Sequence, residues 1–486
     1  MTSKNYLTID FGASNGRGLL GHFDGNTIHM EETYRFTNHL YSMSNTYFWD
    51  ILELMRHTKQ IISVSSTKSQ LDGTGIDTWG LDYGLLDAND NLLGNVISYR
   101  NSQSKYADAV CQIIPQKELF RRTGTGHLIF NTIYQLYERR VKNDPALAAA
   151  KCLLPLPDLL GFFLTGAHSI EYTNALTMMM VNQSTKTWDY GLLKCLDLPT
   201  DIFPPIIQPA QQKGVLLPEI QTELSVDAIP LYAVASHDTA SAIAAIPAKS
   251  SNFVYISSGT WSLIGTECDE PILSDTAYQM DFSNEGSLQG KYRINRNIIG
   301  MFLIQQCRNQ WNQQGYNLSW DEICAKAAQE KPFVSLIDPN DERFYSPGNV
   351  IEKICAYCQE TNQPIPQSVG QFARCIYESL ALSYQKELGH LQKITGKSFD
   401  AIHIVGGGCQ NKLLNQFTAN ATRLPVYAGP VESACIGNAL AQAIAQGELN
   451  GIEQLREVVQ NSESITCFEP KDVMEWSNAA DHFAKL

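Results

Sequence analysis

The sequence lacks an uninterrupted apolar run that could span a bilayer. Its most apolar stretch, Leu153–Leu164, is broken by Pro155, Pro157 and Asp158, whereas a spanning helix needs about 20 apolar residues. The first residues, Met1–Asn5, lead directly into an apolar strand and show no pattern of a cleavable signal. We therefore expect a cytoplasmic protein without a membrane partner.

An excess of basic residues is missing as well. The chain has 36 Lys and Arg against 50 Asp and Glu, a formal net charge of −14. Without a basic stripe, we expect no nucleic-acid partner. A small phosphate-bearing ligand stays compatible with this charge, because local dipoles and one or two cations can hold it. We expect small-molecule partners, and a monomer is compatible with the sequence.

Several common site patterns are also missing. One CxxC, Cys355 and Cys358, has no second pair and no nearby His, so the twelve cysteines are expected to be reduced thiols rather than zinc ligands or disulfides. No Gly-x-Ser-x-Gly elbow occurs, which argues against that class of hydrolase. The glycines at Gly406–Gly408 do not have the spacing of a dinucleotide fingerprint.

What the chain does contain is a strand–turn–strand loop that occurs twice, about half a chain apart. The first copy is Tyr6–Arg17, with its turn at Gly12, and the second is Phe253–Leu263, with its turn at Gly259. Such turns present backbone N–H groups and hydroxyls to an anion. Two ordinary hairpins are the alternative, since Gly, Ser and Asn are common in turns. The recurrence favours two loops that grip the polyphosphate of ATP.

Polar side chains at these turns suggest phosphate and metal ligands. Asp10 ends the first strand, where a hydrated Mg²⁺ would be held, although a turn-capping role is the simpler alternative. Ser14–Arg17 offer hydroxyl, amide, backbone and guanidinium donors to phosphate oxygens. Thr260 offers a hydroxyl from the second copy.

A further carboxylate follows the apolar strand Leu231–Ala235. Ligands of α/β sheets bind at the carboxyl ends of strands. Asp238 there could accept the proton of a substrate hydroxyl that attacks the γ-phosphate, or it could be the N-cap of the next helix. Gly406–Gly408 would let a flat ring lie close to the backbone.

Strands alternate with helices in both halves, which predicts an α/β fold. The length of 486 residues favours two or three domains. We place one boundary at the connector that begins with Pro247, giving an N-terminal domain 1–247 and a C-terminal domain 248–486. The predicted elements that matter for the site are the strands Tyr6–Phe11, Gly16–Phe23, Thr74–Thr78, Leu231–Ala235 and Ala401–Val405, and the helices Ala240–Ala245, Asn297–Gln314 and Ile436–Ala445.

Taken together, these stretches resemble the actin/hexokinase ATPase superfamily and, more closely, the FGGY carbohydrate kinases over essentially the whole chain. The resemblance is carried by Asp10–Arg17, Gly75–Gly80, Phe130–Leu136, Glu171–Ala175, Ala235–Thr239, Ser257–Leu263, Ile404–Asn411 and Gly429–Glu432. It implies two ribonuclease-H-like (actin-like ATPase) α/β domains that flank a central cleft.

The resemblance also implies an activity and its residues. The activity is phosphorylation of the 1-hydroxyl of L-rhamnulose by Mg-ATP, giving L-rhamnulose 1-phosphate and ADP, in L-rhamnose catabolism. By position, the proton acceptor is Asp238, the sugar contacts are Gly80, His237, Asp238, Thr239 and Asn297, the ATP contacts are Ala13, Ser14, Asn15, Gly16, Arg17, Thr260, Gln305 and Gly407, and the magnesium anchor is Asp10.

The chain departs from the family pattern at a few positions. Asn15 replaces a common Ser, and its amide can still reach a phosphate. Asn101 and Gln103 replace a common Asp and Arg, which leaves another ketose, L-fuculose or D-xylulose, as an alternative substrate if the replaced Asp touches sugar. A non-catalytic actin-like ATP switch is a second alternative, which Asp238 disfavours. Asp77 is open to a structural or a substrate-adjacent role.

Overall fold

The structure is a computed structural model that describes residues 3–101, 104–345 and 348–486. Gln103, one of the departures noted above, lies outside the described residues. The chain forms two compact units: the first unit comprises Met1–Pro247, Cys268–Ile294 and Glu432–Ser462, and the second comprises Ala248–Glu267, Asn295–Val431 and Glu463–Leu486. The assignment of functional domains to 1–247 and 248–486 stays a prediction. No helix of the described part is both long and apolar enough to cross a membrane.

Elements are numbered in chain order. The first unit contains the strands β1 (Lys4–Phe11), β2 (Asn15–Phe23), β3 (Ile28–Thr37), β4 (Leu40–Met43), β5 (Thr46–Trp49), β6 (Gly73–Thr78), β7 (Tyr83–Leu86), β8 (Val96–Ile97), β9 (Cys152–Pro155), β10 (Ile170–Glu171), β11 (Val181–Asn182), β12 (Thr187–Trp188), β13 (Ile206–Ile207), β14 (Gln211–Val215), β15 (Pro230–Ala233) and β18 (Ser283–Gly286). Its helices are α1 (Ile51–Lys68), α2 (Ser104–Ile113), α3 (Gln116–Thr123), α4 (Thr132–Val141), α5 (Pro145–Ala149), α6 (Leu156–Thr165), α7 (Tyr172–Thr177), α8 (Tyr190–Cys195), α9 (Pro218–Leu224), α10 (Asp238–Ala244), α11 (Asp275–Gln279), α17 (Ser433–Ala445) and α18 (Ile452–Ser462).

The second unit has fewer elements. Its strands are β16 (Phe253–Ser258), β17 (Trp261–Cys268), the end of β19 (Tyr292–Ile299), β20 (Ala401–Val405), β21 (Val426–Ala428) and β22 (Thr466–Phe468). Its helices are α12 (Phe302–Gln313), α13 (Trp320–Gln329), α14 (Val350–Glu360), α15 (Val369–Thr395), α16 (Lys412–Thr422) and α19 (Val473–Phe483). Short 3-10 turns occupy Leu288–Gly290 in the first unit and Glu342–Phe344 and Gly407–Gln410 in the second.

The main sheet of the first unit has the strand order β14-β15-β6-β1-β2-β3. β1 runs antiparallel to β2 and parallel to β6, and β6 runs parallel to β15. Residues Tyr6–Phe11 of β1 are all buried, as their apolar character predicts. The turn between β2 and β3 is stabilised by Asp24, whose carboxylate accepts hydrogen bonds from the backbone N–H groups of Asn26 and Thr27.

In the second unit, the strands pair in the order β19-β17-β16-β20-β21-β22. β16 runs antiparallel to β17 and parallel to β20, which repeats the arrangement of β1 with β2 and β6. The predicted strand Ala401–Val405 is confirmed. The predicted helix Asn297–Gln314 begins at Phe302 instead, because Tyr292–Ile299 form strand β19 and the chain turns at Gly300.

Helix α17 packs on the first unit's sheet through apolar residues such as Ala439 and Leu440 and also through polar side chains. The Gln442 side-chain amide donates to the Leu7 carbonyl, and the Asn438 amide donates to the Asp77 carboxylate. At Gly437, a Cβ atom would overlap the backbone carbonyl oxygen of Ser241 in α10. The close approach of these two helices therefore depends on a glycine.

Replacing Gly437 by Ala is expected to lower the free energy of unfolding by about 1–3 kcal/mol, because α10 and α17 would have to separate. Thermal unfolding followed by circular dichroism measures the change. Gly389 is a matched control, since it is exposed in α15 with no atom within 4 Å of an added Cβ, and Gly389→Ala should stabilise by about 0.4–1 kcal/mol. Equal effects at both positions would contradict the close-packing argument.

Candidate functional site

Three carboxylates meet at the carboxyl ends of neighbouring parallel strands in the first unit. Asp10 on β1 and Asp77 on β6 are direct register partners, so their side chains point to the same face of the sheet. A parallel bridge joins Thr78 to His237, which brings Asp238 to the same edge. This edge is where α/β sheets bind ligands.

Asp238 is the first residue of α10, and about a third of its side chain is exposed. His237 occupies the N-cap position, so the alternative of Asp238 as N-cap is wrong. One Asp238 oxygen accepts bonds from the Thr239 N–H and, at 3.1 Å, from the Thr239 hydroxyl. Burial raises the pKa of Asp238 above its usual range, and the charge of Asp10 adds to the rise. A carboxyl with a raised pKa is better matched to accepting a proton near neutral pH.

Asp77 is completely buried, and it is a residue whose role the sequence left open. It accepts a hydrogen bond from the Asn438 amide, while its other oxygen has no hydrogen-bond partner. Burial and the neighbouring Asp10 charge raise the pKa of Asp77 well above its usual range. The structure thus places Asp77 beside the other two carboxylates rather than in a separate structural cluster.

Asp10 is paired with Arg17 on the adjacent strand. The Arg17 Nε and Nη2 atoms each lie 2.9 Å from the same Asp10 oxygen, and the guanidinium also forms an ion pair with Glu432. The Cys435 thiol lies 3.6 Å from that Asp10 oxygen. The guanidinium predicted to bind phosphate is therefore held at the loop by two carboxylates.

The loop between β1 and β2 has a defined backbone and exposed side chains. The Gly12 N–H donates to the Asn15 carbonyl at 2.9 Å, and the Asn38 N–H donates to the Ser14 carbonyl. Ser14 and Asn15 are exposed, and Ala13 is half-buried. Gly16 is buried, and a Cβ atom there would overlap the Phe36 ring. Among the first four predicted ATP contacts, Ser14 and Asn15 are therefore accessible to a ligand, whereas packing requires a glycine at position 16.

His237 is held by charged neighbours that the sequence did not identify. Its Nδ1 atom lies 3.1 Å from the Arg293 guanidinium and 3.4 Å from the Glu285 carboxylate, and its Nε2 atom lies 3.7 Å from Asp238. Arg293 is fully buried and pairs with Glu285 at 2.9 Å. Since an arginine only donates, the bond to Arg293 leaves the Nε2 atom of a neutral His237 carrying the proton.

Gly80 and Asn101 have packing roles in the first unit. Gly80 is buried two residues after β6, and a Cβ atom there would lie 2.8 Å from the Thr177 side chain. Asn101, which replaces the family's Asp, donates to the carbonyls of Tyr47 and Ser98 and accepts from the Tyr47 N–H. A carboxylate could not donate to these carbonyls. The Asn101 amide therefore holds the backbone of β5 through hydrogen bonds to Tyr47.

The predicted ATP residues of the second unit gather at the ends of β16 and β20. The Gly259 N–H donates to the Trp261 carbonyl, two residues later, at 2.9 Å, whereas Gly12 in the first copy of the loop donates to the Asn15 carbonyl, three residues later. The Thr260 hydroxyl lies 3.4 Å from the Gln305 amide oxygen at the start of α12. A Cβ atom at Gly408 would overlap Ser258, whereas Gly407 is exposed with open space around it. Asn297 lies half-buried on β19.

The carboxylates at the edge of the first unit's sheet fit a magnesium ion by chemistry. Carboxylate oxygens are the ligands that Mg²⁺ prefers, usually with several waters retained, and a buried Asp77 oxygen has no partner. In the described part of the chain, no group of three His, Cys, Asp or Glu side chains could hold a metal by itself. A hydrated ion at Asp10 requires only one such side chain.

Several site residues could not be assigned a role from the sequence: Asp77, Glu171, Glu285, Arg293, Glu432 and Asn438. Their partners are distant in the chain, as with Asn438 and Asp77, which are 361 positions apart. The available signal was a polar residue inside an apolar stretch, since such a residue must find a partner when it is buried.

Known proteins match the chain over nearly its full length. The N-terminal and C-terminal domains of the FGGY family of carbohydrate kinases match residues 5–244 and 254–446. A protein of Bacteroides thetaiotaomicron named rhamnulokinase is 39% identical, with 99% of each chain covered. A rhamnulokinase of Enterococcus faecalis is 40% identical, with 94% of this chain and 93% of that chain covered.

A solved structure shares the fold. The ligand-bound xylulose kinase of Lactobacillus acidophilus superposes with a TM-score of 0.83 at 18% identity, covering 99% of this chain and 97% of that chain. The predicted α/β class with two actin-like ATPase domains is confirmed by these matches.

Proposed function

Because the chain belongs to the FGGY family of carbohydrate kinases, we propose that it uses ATP to phosphorylate the 1-hydroxyl of L-rhamnulose, giving L-rhamnulose 1-phosphate and ADP in L-rhamnose catabolism. The relatives named rhamnulokinase support this ketose. The departure at Asn101 does not argue against it, because that side chain holds the backbone of Tyr47.

The observation that carries the proposal is the partly exposed Asp238 carboxylate at the carboxyl end of β15. Asp238 accepts the proton of the sugar 1-hydroxyl as that oxygen attacks the γ-phosphorus. The new O–P bond forms while the bond from the γ-phosphorus to the β–γ bridging oxygen breaks, and ADP leaves with the electron pair. His237, through its Nε2 proton, together with Thr239, Gly80 and Asn297, would bind the sugar.

Phosphate binding is assigned to the two loops. Ala13, Ser14, Asn15 and Gly16 offer backbone N–H groups, Ser14 and Asn15 also offer exposed side chains, and Arg17 offers a guanidinium. Thr260, Gln305 and Gly407 are proposed to contact ATP from the second unit. Asp10 would hold Mg²⁺ through water, and the ion would neutralise charge on the transferring phosphoryl group.

A sugar panel tests the substrate. Coupled ADP release should be fastest with L-rhamnulose, on the order of 10-fold or more above L-fuculose and D-xylulose in kcat/KM. L-fuculose is a sharp comparison because it differs from L-rhamnulose only in the configuration at C4. Higher kcat/KM with another ketose would replace the proposed substrate. ATP hydrolysis that no sugar accelerates would favour the actin-like switch.

A further inference from the structure

Glu171 is a buried carboxylate that the reaction described above does not use. Only 1% of the residue is exposed. It is the N-cap of α7 and accepts from the N–H and hydroxyl of Thr173 at 2.9 and 2.5 Å and from the Asn174 N–H. It also accepts from the N–H and hydroxyl of Ser236 at 3.0 and 2.7 Å. The Glu171 side chain thus links the start of α7 to Ser236, which lies two positions before Asp238.

The Ser236–Asp238 segment lies beyond the end of β15, which is at Ala233. On one side, the Thr78 N–H donates to the Ser236 carbonyl at 2.9 Å. On the other side, the Ser236 N–H is bound by Glu171 and the His237 N–H is bound by the Thr173 hydroxyl at 3.2 Å. The N–H groups of Ser236 and His237 are therefore held by Glu171, directly or through the Thr173 hydroxyl, while Thr78 holds the Ser236 carbonyl.

The chemistry of these contacts requires a carboxylate. All five groups around Glu171 are N–H or O–H donors, and an ionised carboxylate only accepts. Burial raises the pKa of Glu171, and the bonds from Thr173 and Ser236 oppose that rise. Burying a charge costs free energy that only good hydrogen bonds offset. A neutral amide would place its own N–H₂ group against donors.

We propose that Glu171 is a positioning residue that holds the Asp238 carboxylate in line with the sugar hydroxyl, acting through Ser236 and Thr173. The proposal rests on the proposed function, because it needs Asp238 to be the proton acceptor. A misplacement of about 1 Å at a reacting group can cost about 10²-fold in rate. Loss of the hydrogen bonds to Glu171 should therefore lower kcat more than it weakens sugar binding.

Steady-state kinetics of Glu171→Gln test the proposal. We expect kcat to fall by about 10²-fold, with the sugar KM changed only a few-fold. Glu378→Gln is the matched control, because Glu378 is also 1% exposed and accepts from Arg374 and the Phe333 N–H within the second unit. We expect this control to lower stability while leaving kcat unchanged.

A double mutant separates positioning from general damage. If Glu171 acts through Asp238, Glu171→Gln should slow the wild-type enzyme but cause little further loss in an Asp238→Asn background. Thr173→Val removes the acceptor for the His237 N–H at constant shape and should lower kcat in the same way. This variant decides the question if Glu171→Gln does not fold.

Three results would overturn the positioning role. They are a folded Glu171→Gln variant with wild-type kcat, an equal loss of kcat in the Asp238→Asn background, and, where Glu171→Gln does not fold, a Thr173→Val variant with wild-type kcat. Failure of the proposed function looks different, since the wild-type protein would then phosphorylate no ketose of the panel.

Discussion

Asp238→Asn is expected to lower kcat by about 10²–10⁴-fold, the usual cost of removing a general base. The amide has nearly the shape of the carboxylate but cannot accept the proton of the sugar hydroxyl. It can still accept the hydrogen bonds from Thr239, so the sugar KM should change only a few-fold. Steady-state ADP release and sugar binding by calorimetry together measure the two effects.

The control for this prediction is Asp227→Asn, an equivalent change at an exposed aspartate of the same unit. It should leave kcat and KM as in the wild type. Near-normal turnover in Asp238→Asn would contradict the assignment of this residue as proton acceptor. A large rise in KM without a fall in kcat would assign Asp238 to sugar binding alone.

The pH dependence of kcat provides a second readout of the same residue. Only the ionised carboxylate accepts a proton, so kcat falls as the pH drops through the pKa of Asp238. Burial raises that pKa above its usual value, which is about 3.9 for a free aspartate. The acid limb should therefore lie above this value and disappear from the residual activity of Asp238→Asn. A limb that persists would belong to another group.

Asp10→Ala is expected to raise the Mg²⁺ concentration for half-maximal activity by about 10–100-fold, the usual effect of losing a group that orients a metal's ligands. The rate at saturating Mg²⁺ should also fall. The carboxylate lies at the end of β1, beside the Ser14–Arg17 loop, and its loss leaves Arg17 paired with Glu432 alone. Magnesium titrations at fixed ATP and sugar measure the change.

Asp72→Ala is the matched control, because Asp72 lies at the opposite end of the same sheet and pairs with Lys4 at 3.1 Å. This variant should have the Mg²⁺ dependence of the wild type. An unchanged Mg²⁺ dependence in Asp10→Ala would remove Asp10 from the metal site. An equal shift in both variants would point to a general effect of lost negative charge.

The sequence predicted best those parts of the site that depend on neighbours in the chain. Two strands were predicted from short apolar runs that end in turn residues, and the structure has both strands at those places. They are the strand that contains Asp10 and ends before Gly12, and the strand Ala401–Val405 before the glycines. The position of Asp238 just after a buried strand was likewise readable from local pattern.

The local sequence pattern was misleading where the periodicities of a helix and of a strand compete. The segment around Asn297 was predicted as the start of a helix, yet it is the end of β19. The choice depended on pairing with a distant strand, and single-sequence patterns are least reliable at element boundaries. At Asn101 the sequence left open whether this position touches sugar, and the structure shows that its amide bonds the backbone of Tyr47, 54 positions away.

By itself, the sequence determined the two-domain α/β class, the repeated strand–turn–strand loop and a set of polar residues at strand ends, because each depends on covalent order and short-range periodicity. Only the tertiary structure decided which of these residues work together. Glu171 meets Ser236 across 65 positions, and helix α17 brings Asn438 to Asp77 across 361. Such buried polar pairs form because an unpaired polar group in the core is costly, and chain folding, not spacing, selects the partner.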